Sequence, residues 1–324
     1  MWAMTKVLLS HDSPVPSKEL HFSRNDIGEV NFITLSTSGF NDSMTFQALN
    51  RFFDPDYIRK RGYDVSYHGG RGQTMLFTLP HEYISCLYGP KQDPALVAAA
   101  TAAKAAAATA ATTTEMSVAD DSAMDNGEKP VPTYKGLPTY PLCLRFYLRG
   151  GLIGKFIKRS FLRWGNFAQR ARLEFELTAK LYEQGLPVPR PLIAREIVGT
   201  FTVENAIVCE QIPNSRNLAE ILASGRSFTA EELHTIGDTL AHFFVSHVVH
   251  TDLNLRNILL DDSGKCFVVD FDKCYCSDKF GPTAVEQMLC RLERSFAKEK
   301  QLKSYEFFDV SQVMSNIRSS VRQA

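Results

Sequence analysis

Val249-His250-Thr251-Asp252-Leu253-Asn254-Leu255-Arg256-Asn257-Ile258-Leu259-Leu260-Asp261-Asp262-Ser263-Gly264-Lys265-Cys266-Phe267-Val268-Val269-Asp270-Phe271-Asp272-Lys273 is the stretch that the rest of the chain serves. Two short apolar runs, 257–260 and 266–269, flank Asp261-Asp262-Ser263-Gly264, whose Asp, Ser and Gly suit a tight turn, so the stretch reads as a β-hairpin. Polar groups stand at both ends. Asp252 and, five residues on, Asn257 precede the first strand, and the second runs straight into Asp270.

That order and spacing match H-R-D-L-x-x-x-N followed by D-F-G, the catalytic loop and metal-binding turn of kinases. Phosphoryl transfer needs a carboxylate to orient the acceptor hydroxyl and take its proton, and oxygen ligands to hold Mg²⁺ against nucleotide phosphates. Asp252 fits the first role; Asn257 and Asp270 fit the second. A lone D-x-x-x-x-N is common by chance, whereas the ordered set of His, Asp, Asn, two apolar strands and Asp270-Phe271-Asp272 is not.

Composition bounds what surrounds this core. The 324 residues hold one large or two modest domains, and 44% hydrophobic with 22% charged residues is ordinary for a globular protein. Formal net charge is zero, so an anionic partner must be met by a local patch. The seven cysteines include no CxxC pair. Cys274 and Cys276 near Cys266 lack a companion His, and idle thiols are the expected reading over a metal cluster. The first ten residues are too short in apolar character for a signal peptide, and no run approaches the ~18 residues needed to span a bilayer, so the site is expected to face the cytoplasm.

Taken in order, residues 1–43 read as a loosely ordered extension, with a strand conceivable only at 31–35. The first lobe is expected over 44–212. A short helical segment at 57–61 precedes Gly70, Arg71 and Gly72, which with the β-like run 75–79 suit a glycine-rich phosphate loop or a plain hairpin turn. Residues 93–132 change abruptly to Ala and Thr, then to acidic residues and Pro, and read as a low-complexity insertion. A strand at 142–147 puts Arg145 at the nucleotide-lysine position, where a guanidinium still serves phosphate and a helix carboxylate; Lys155 is the rival.

Residues 170–184 read as a helix with Leu173, Leu177 and Leu181 on one stripe, closed by Gly185 and Pro187. Glu174 is its candidate carboxylate for pairing with Arg145, against the alternative of a solvated helix face. From Arg145 through Leu173 stand eight basic residues and no acidic one, interleaved with apolar and aromatic side chains. This reads as a patch for an anionic lipid surface or a phosphorylated glycolipid; nucleic acid needs the same ingredients, and the patch alone does not choose. A strand at 206–210 runs into a hinge, where Glu210 and Ile212 offer backbone groups to adenine. The second lobe, 213–324, is expected to be mainly helical, with helices at 218–222, at 230–245 behind Thr229 as N-cap, and from 284 onward.

Two departures narrow the acceptor. Thr251 stands where regulated protein kinases carry an Arg that meets an activation-loop phosphate, and Asp272 replaces the mobile Gly of D-F-G. Only 52 residues follow Asp272, without an A-P-E sequence. That is too few for the usual peptide-docking region, so a small molecule or lipid-linked sugar is the expected acceptor.

Gly70-Arg71-Gly72, the run 144–155 with its Arg149-Gly150-Gly151, the run Gly185-Leu186-Pro187-Val188-Pro189-Arg190-Pro191, Asp252-Leu253-Asn254 with Asn257, Asp270-Phe271-Asp272 and Arg291-Leu292-Glu293-Arg294-Ser295 together resemble the bacterial 3-deoxy-D-manno-octulosonic acid (Kdo) kinases over roughly residues 45–300. The resemblance implies an α+β, two-lobed protein-kinase-like fold with a β-rich N-lobe and a mainly helical C-lobe. It implies use of ATP and Mg²⁺ to phosphorylate the 4-position of Kdo on a lipid A precursor, by a peripheral enzyme on the cytoplasmic side of the inner membrane and not by a nucleic-acid binder. Within that family an Arg at the place of Arg145 is normal. A lipopolysaccharide heptose kinase or other small-molecule kinase is the enzymatic alternative, and a catalytically dead binding module is the third reading, opposed by the intact Asp252, Asn257 and Asp270.

Overall fold

A computed structural model describes residues 17–38, 43–61, 63–68, 74–80, 84, 87, 139–147, 160–162 and 169–323. The glycine-rich segment Gly70, Arg71 and Gly72, the insertion at 93–132 and the rival Lys155 lie outside the described residues. The expected α+β architecture is present, a sheet-built first lobe followed by a mainly helical second one.

The first lobe is one antiparallel sheet. Strands β1 (Ser17–Arg24), β2 (Gly28–Leu35), β3 (Tyr63–His68), β4 (Thr74–Pro80), β5 (Thr139–Phe146), β6 (Ser160–Leu162), β7 (Pro191–Val198) and β8 (Thr202–Glu210) are laid out in the order β1-β2-β7-β8-β5-β4-β3, with β6 also on β8. Strand side chains alternate between faces, and here both faces are buried. Val30, Phe32, Leu142, Leu144 and Val208 pack on one side against Leu49, Phe52, Phe53 and Ile58 from α1 (Phe46–Asn50), the 3₁₀ turn Arg51–Phe53 and α2 (Pro55–Arg61). Ile33, Leu35, Tyr147 and Ile207 pack on the other against α3 (Arg170–Glu183). Arg145 therefore shares the α3 face with Tyr147.

Residues 17–38, expected as an extension ahead of this lobe, are part of it. β1 pairs with β2 along its full length, β2 pairs with β7, and Val30, Phe32, Ile33 and Leu35 are buried. Arg172 of α3 donates to both carboxylate oxygens of Glu19 on β1, at 2.9 and 2.7 Å, and to Glu196 on β7 at 3.0 Å. The β1–β2 turn needs Gly28, whose φ is +100° and where a Cβ would sit 2.6 Å from the Val198 carbonyl oxygen.

Helix α3 also differs from its expected stripe. Its buried face is Ala171, Glu174, Phe175, Thr178, Ala179 and Leu181, at helical spacing, while Leu173 is 43% exposed. The helix starts where the Ala171 N–H donates to buried Asn205 at 3.1 Å, and it ends at Gly185 with φ +79°, the Leu186 N–H returning to the Leu181 carbonyl at 3.0 Å.

The second lobe has a single apolar core shared by α4 (Leu218–Ala223), α5 (Ala230–Val245), α6 (Pro282–Lys303) and α7 (Val310–Gln323), with short strands on its upper edge. Both α4 and α5 begin with capping boxes, Asn217 with Glu220 and Thr229 with Glu232, so their starts are written in the local sequence. The edge strands are β9 (Ser215–Asn217), β10 (Val248–Val249), β11 (Ile258–Asp261), β12 (Cys266–Val268) and β13 (Tyr275–Cys276). β11 and β12 form the expected hairpin, and Asp261 closes its turn by accepting from the Ser263 N–H, Ser263 hydroxyl and Lys265 N–H at 2.9, 2.6 and 2.9 Å.

Candidate active site

The loop between β10 and β11 is held from below by its apolar residues. Leu253 and Leu255 are buried in the helical core, and the Leu255 N–H donates to Ser295 Oγ on α6 at 3.1 Å. With those anchors buried, Asp252 is left exposed. Its backbone carbonyl accepts from the side-chain amides of Asn254 and Asn257, at 3.0 and 2.9 Å, so both asparagines brace the loop under the carboxylate. Asn257 spends its amide nitrogen on that brace, which presents its carbonyl oxygen as the group for a cation.

His250 is a buried strut. Its Nε2 lies 3.1 Å from the Val269 carbonyl, so that nitrogen carries the proton and donates, and Nδ1 is buried without a partner. Burial pushes its pKa down despite the hydrogen bond, which keeps the ring neutral. Phe271, fully buried, stacks on Phe243 with 6.0 Å between ring centroids and leans on His250 at 5.2 Å. Seating this ring in the helical core turns the backbone so that Asp270 is in the left-handed region, φ +66°. A non-glycine residue there is uncommon and stays only when its surroundings hold it.

The surroundings are a ring of charges. Arg145 on β5 donates through Nη1 to Asp270 and through Nη2 to Glu174 on α3, and the Tyr147 hydroxyl donates to the same Glu174 oxygen. Arg170, the first residue of α3, grips Asp272 with Nε to Oδ1 at 3.0 Å and Nη2 to Oδ2. The two guanidinium groups lie 5.0 Å each from the Tyr147 ring centroid. The Thr251 hydroxyl donates to the Asp272 carbonyl at 3.3 Å, tying the turn to the residue beside Asp252.

Electrostatics separate the carboxylates by role. Burial pushes the Glu174 pKa up, with Asp270 adding to the rise, and Arg145 and Tyr147 oppose it. Burial pushes Asp270 up as well, but there Arg145 wins and the carboxyl stays below its ordinary value, ionised at neutral pH. Burial favours deprotonating Arg145, and Glu174 and Asp270 outweigh it. Asp270 is also the reachable carboxylate, 38% exposed against 6% for Glu174 and 20% for Asp272. Three carboxylates share two guanidinium groups, and the one nearest solvent is the ionised Asp270. Burial lifts the thiol of Cys143, beside Arg145 on β5, to about 11, so that thiol is protonated at neutral pH.

Behind the ring, β8 leaves the sheet at the segment predicted as a hinge. The Glu210 N–H donates to the Arg190 carbonyl and the Gln211 N–H to the Pro141 carbonyl, each at 2.9 Å, while the Ile212 N–H has no backbone partner among the described residues. The Ile212 carbonyl accepts from Ser215 Oγ at 2.8 Å.

The structure thus joins Arg145, Glu174 and Asp270 by ion pairs across the two lobes, sets Asn257 against the residue before Asp270 and on the backbone of Asp252, and seats Arg145 at the Glu174 carboxylate. Glu174 is not a solvated helix residue. The reading of a basic patch is corrected in part: of its eight residues Arg145, Arg170 and Arg172 are described, and each is engaged inside the protein by acidic partners. Arg149, Lys155, Lys158, Arg159 and Arg163 lie outside the described residues. Tyr147 and Arg170 were not singled out from sequence. The available signals were the one-turn spacing of Arg170 before Glu174 and an acidic Asp272 in need of a cation.

A model of the lipopolysaccharide kinase (Kdo/WaaP) family matches residues 134–314. The 3-deoxy-D-manno-octulosonic acid kinase of Vibrio parahaemolyticus serotype O3:K6 (strain RIMD 2210633) is 40% identical over 163 residues, covering 50% of this chain and 67% of that protein. The protein of that name in Vibrio vulnificus (strain CMCP6) is 37% identical over 173 residues, covering 53% and 72%, and that in Haemophilus influenzae (strain PittEE) is 38% identical over 161 residues, covering 48% and 66%. The family match spans α3, the hinge, Asp252 and the Asp270 turn together, and the chain belongs to the lipopolysaccharide kinase (Kdo/WaaP) family.

Proposed function

We propose that the protein transfers the γ-phosphoryl group of ATP to the 4-hydroxyl of Kdo on a lipid A precursor, during assembly of the lipopolysaccharide inner core. The observation that carries this reading is the convergence of Asp252, Asn257 and Asp270 with the Arg145–Glu174 pair, in a chain whose relatives bear the Kdo kinase name. As the acceptor oxygen attacks phosphorus, its proton passes to the Asp252 carboxylate; the new P–O bond forms while the bridging bond to the β-phosphate breaks and ADP leaves. Asp252 is exposed and its loop is braced by Asn254 and Asn257, which suits a group that must meet a bulky acceptor without losing its place.

Asp270 and the carbonyl oxygen of Asn257 would hold Mg²⁺. Two oxygen ligands fit an ion that keeps waters and takes the rest of its shell from phosphates, and the ionised, half-buried carboxylate of Asp270 favours a divalent cation there. Bound Mg²⁺ would offset phosphate charge as the transfer proceeds. Arg145 keeps Glu174 through one nitrogen and has the other, now on Asp270, to give to phosphate oxygens. The Glu210 carbonyl and Ile212 N–H are the backbone groups offered to adenine, and Gly70, Arg71 and Gly72 are assigned to the phosphates from sequence.

We place the enzyme at the cytoplasmic face of the inner membrane as a peripheral protein, because its acceptor is lipid-linked. No helix among the described residues is long and apolar enough to cross a bilayer. Incubation with ATP, Mg²⁺ and lipid A precursors with and without Kdo, followed by mass spectrometry, tests the acceptor. One added phosphate that leaves with Kdo on mild acid hydrolysis is expected. A phosphate that stays on lipid A, or is added only to heptose-bearing acceptors, overturns the Kdo assignment. Asp252→Asn should lower turnover by about 10²–10⁴-fold with Mg-ATP affinity retained; near-normal turnover rejects its role.

A further inference from the structure

Asp272 occupies the place of the glycine that lets a kinase metal-binding turn swing, and the structure ties it on two sides. Its side chain takes a two-pronged grip from Arg170, with Arg170 only 14% exposed. Its carbonyl takes the hydroxyl of Thr251, whose position in regulated kinases belongs to an Arg that meets an activation-loop phosphate. A planar guanidinium on a carboxylate in two-point geometry fixes orientation as well as distance.

The grip closes a circuit. Arg170 and Glu174 stand one turn apart on α3, Glu174 holds Arg145, Arg145 holds Asp270, and Asp270 lies two residues before Asp272. The Tyr147 ring lies 5.0 Å from each guanidinium group, and its hydroxyl donates to Glu174. Outward movement of helix α3 away from the turn would break the Arg170–Asp272 pair. Asp272 also lacks the conformational freedom of glycine.

We propose that Arg170 and Asp272 form an internal latch that positions Asp270 and Glu174, doing within the fold what a phosphorylated activation segment does in regulated kinases, so that the site is assembled without covalent modification. The inference rests on the phosphotransferase reading of the same cleft. Arg170 and Asp272 are positioning residues acting through Asp270 and α3. Partners that orient a metal ligand are worth about 10–100-fold in metal affinity or activity when removed, and this latch falls in that class.

The test compares wild type with Arg170→Gln, Asp272→Asn and Arg170→Lys, reading Mg²⁺ half-saturation, affinity for a fluorescent ATP analogue, kcat, acceptor KM and thermal midpoint. The Gln and Asn variants should weaken Mg²⁺ half-saturation and lower kcat by about 10–100-fold with acceptor KM unchanged. Arg170→Lys, which keeps the charge, should recover part of the loss, and it serves in place of Arg170→Gln if that variant does not fold. Wild type treated with a phosphatase should keep full activity. Wild-type Mg²⁺ dependence in folded Gln and Asn variants overturns the latch, as does loss of activity on phosphatase treatment. A wild type that neither binds the ATP analogue nor transfers phosphate to any acceptor overturns the kinase reading itself, a result separable from failure of the latch alone.

Discussion

Replacing Arg145 with Met removes the cation at the centre of the site and leaves Glu174, 6% exposed, against an ionised Asp270 and a single hydroxyl from Tyr147. Removing one member of a buried pair costs about 3–5 kcal/mol because the remaining charge is stranded. The ceiling is the cost of protonating Glu174 instead. From its ordinary value of 4.5 to pH 7.5 is about 3 units, or about 4 kcal/mol. The two bounds meet near 3–4 kcal/mol at pH 7.5. Asp270 adds little, since water reaches it once the guanidinium is gone. The sign with pH follows from Glu174: its folded pKa is raised further in the variant, so the protonated, stable form is fully present below 4.5 and is lost as pH rises through the folded value. The deficit should shrink to about 1–2 kcal/mol at pH 5.5, where protonation costs about 1 unit. Arg145→Met/Glu174→Gln should recover most of the loss at pH 7.5. Urea denaturation followed by circular dichroism at both pH values measures this. A loss below about 1 kcal/mol at pH 7.5, or one that does not shrink on acidification, would show that Glu174 is not stranded and that water or another group solvates it.

At Gly237 on α5 an added Cβ would meet Ser320 Cβ at 2.5 Å and the Ile317 carbonyl oxygen at 2.6 Å on α7. Overpacking of about 1–3 kcal/mol against about 1 kcal/mol of helix propensity gives Gly237→Ala a net loss of up to about 2 kcal/mol, read as a lower thermal midpoint; a higher midpoint would mean that α7 shifts without penalty. His250 is depressed by burial, so its contribution is fully present above its unfolded value of 6.5 and is lost as pH falls through the lower folded value. Wild type should therefore lose more stability than His250→Gln between pH 7 and 5.5, and parallel curves would refute the buried neutral ring.

What could be read in the sequence was what is local. Asp252, Asn257 and Asp270 are spaced by one loop and one hairpin, so their chemistry is visible without knowing what packs on them. The start of α5 was equally plain, because Thr229 and Glu232 satisfy the backbone donors there themselves. β1 was missed because its own pattern is weak: Leu20 and Phe22 alternate with polar residues, and the Glu19 partner, Arg172, is 153 residues away. The stripe drawn through Leu173 failed for a related reason. α3 buries a carboxylate, so the residue that best marks its inner face, Glu174, is one that hydrophobic periodicity discounts.

The charges carry the larger lesson. Eight basic residues without an acidic neighbour read as a surface patch because sequence shows a charge and hides its partner. Arg170 finds its partner 102 residues downstream and Arg145 finds one 125 residues downstream, so what looked like a field for an external anion is in part the positive half of an internal circuit. The same circuit explains why arginine suits position 145. An ammonium is a point charge that favours one carboxylate at a time, whereas the two terminal nitrogens of a guanidinium reach Glu174 and Asp270 separately. A site assembled through fixed ion pairs, with Asp272 rather than glycine in its turn, has use for that rigidity. The departures from the kinase pattern at Thr251 and Asp272 are then one adaptation, since each replaces a mobile or externally regulated contact with an internal one.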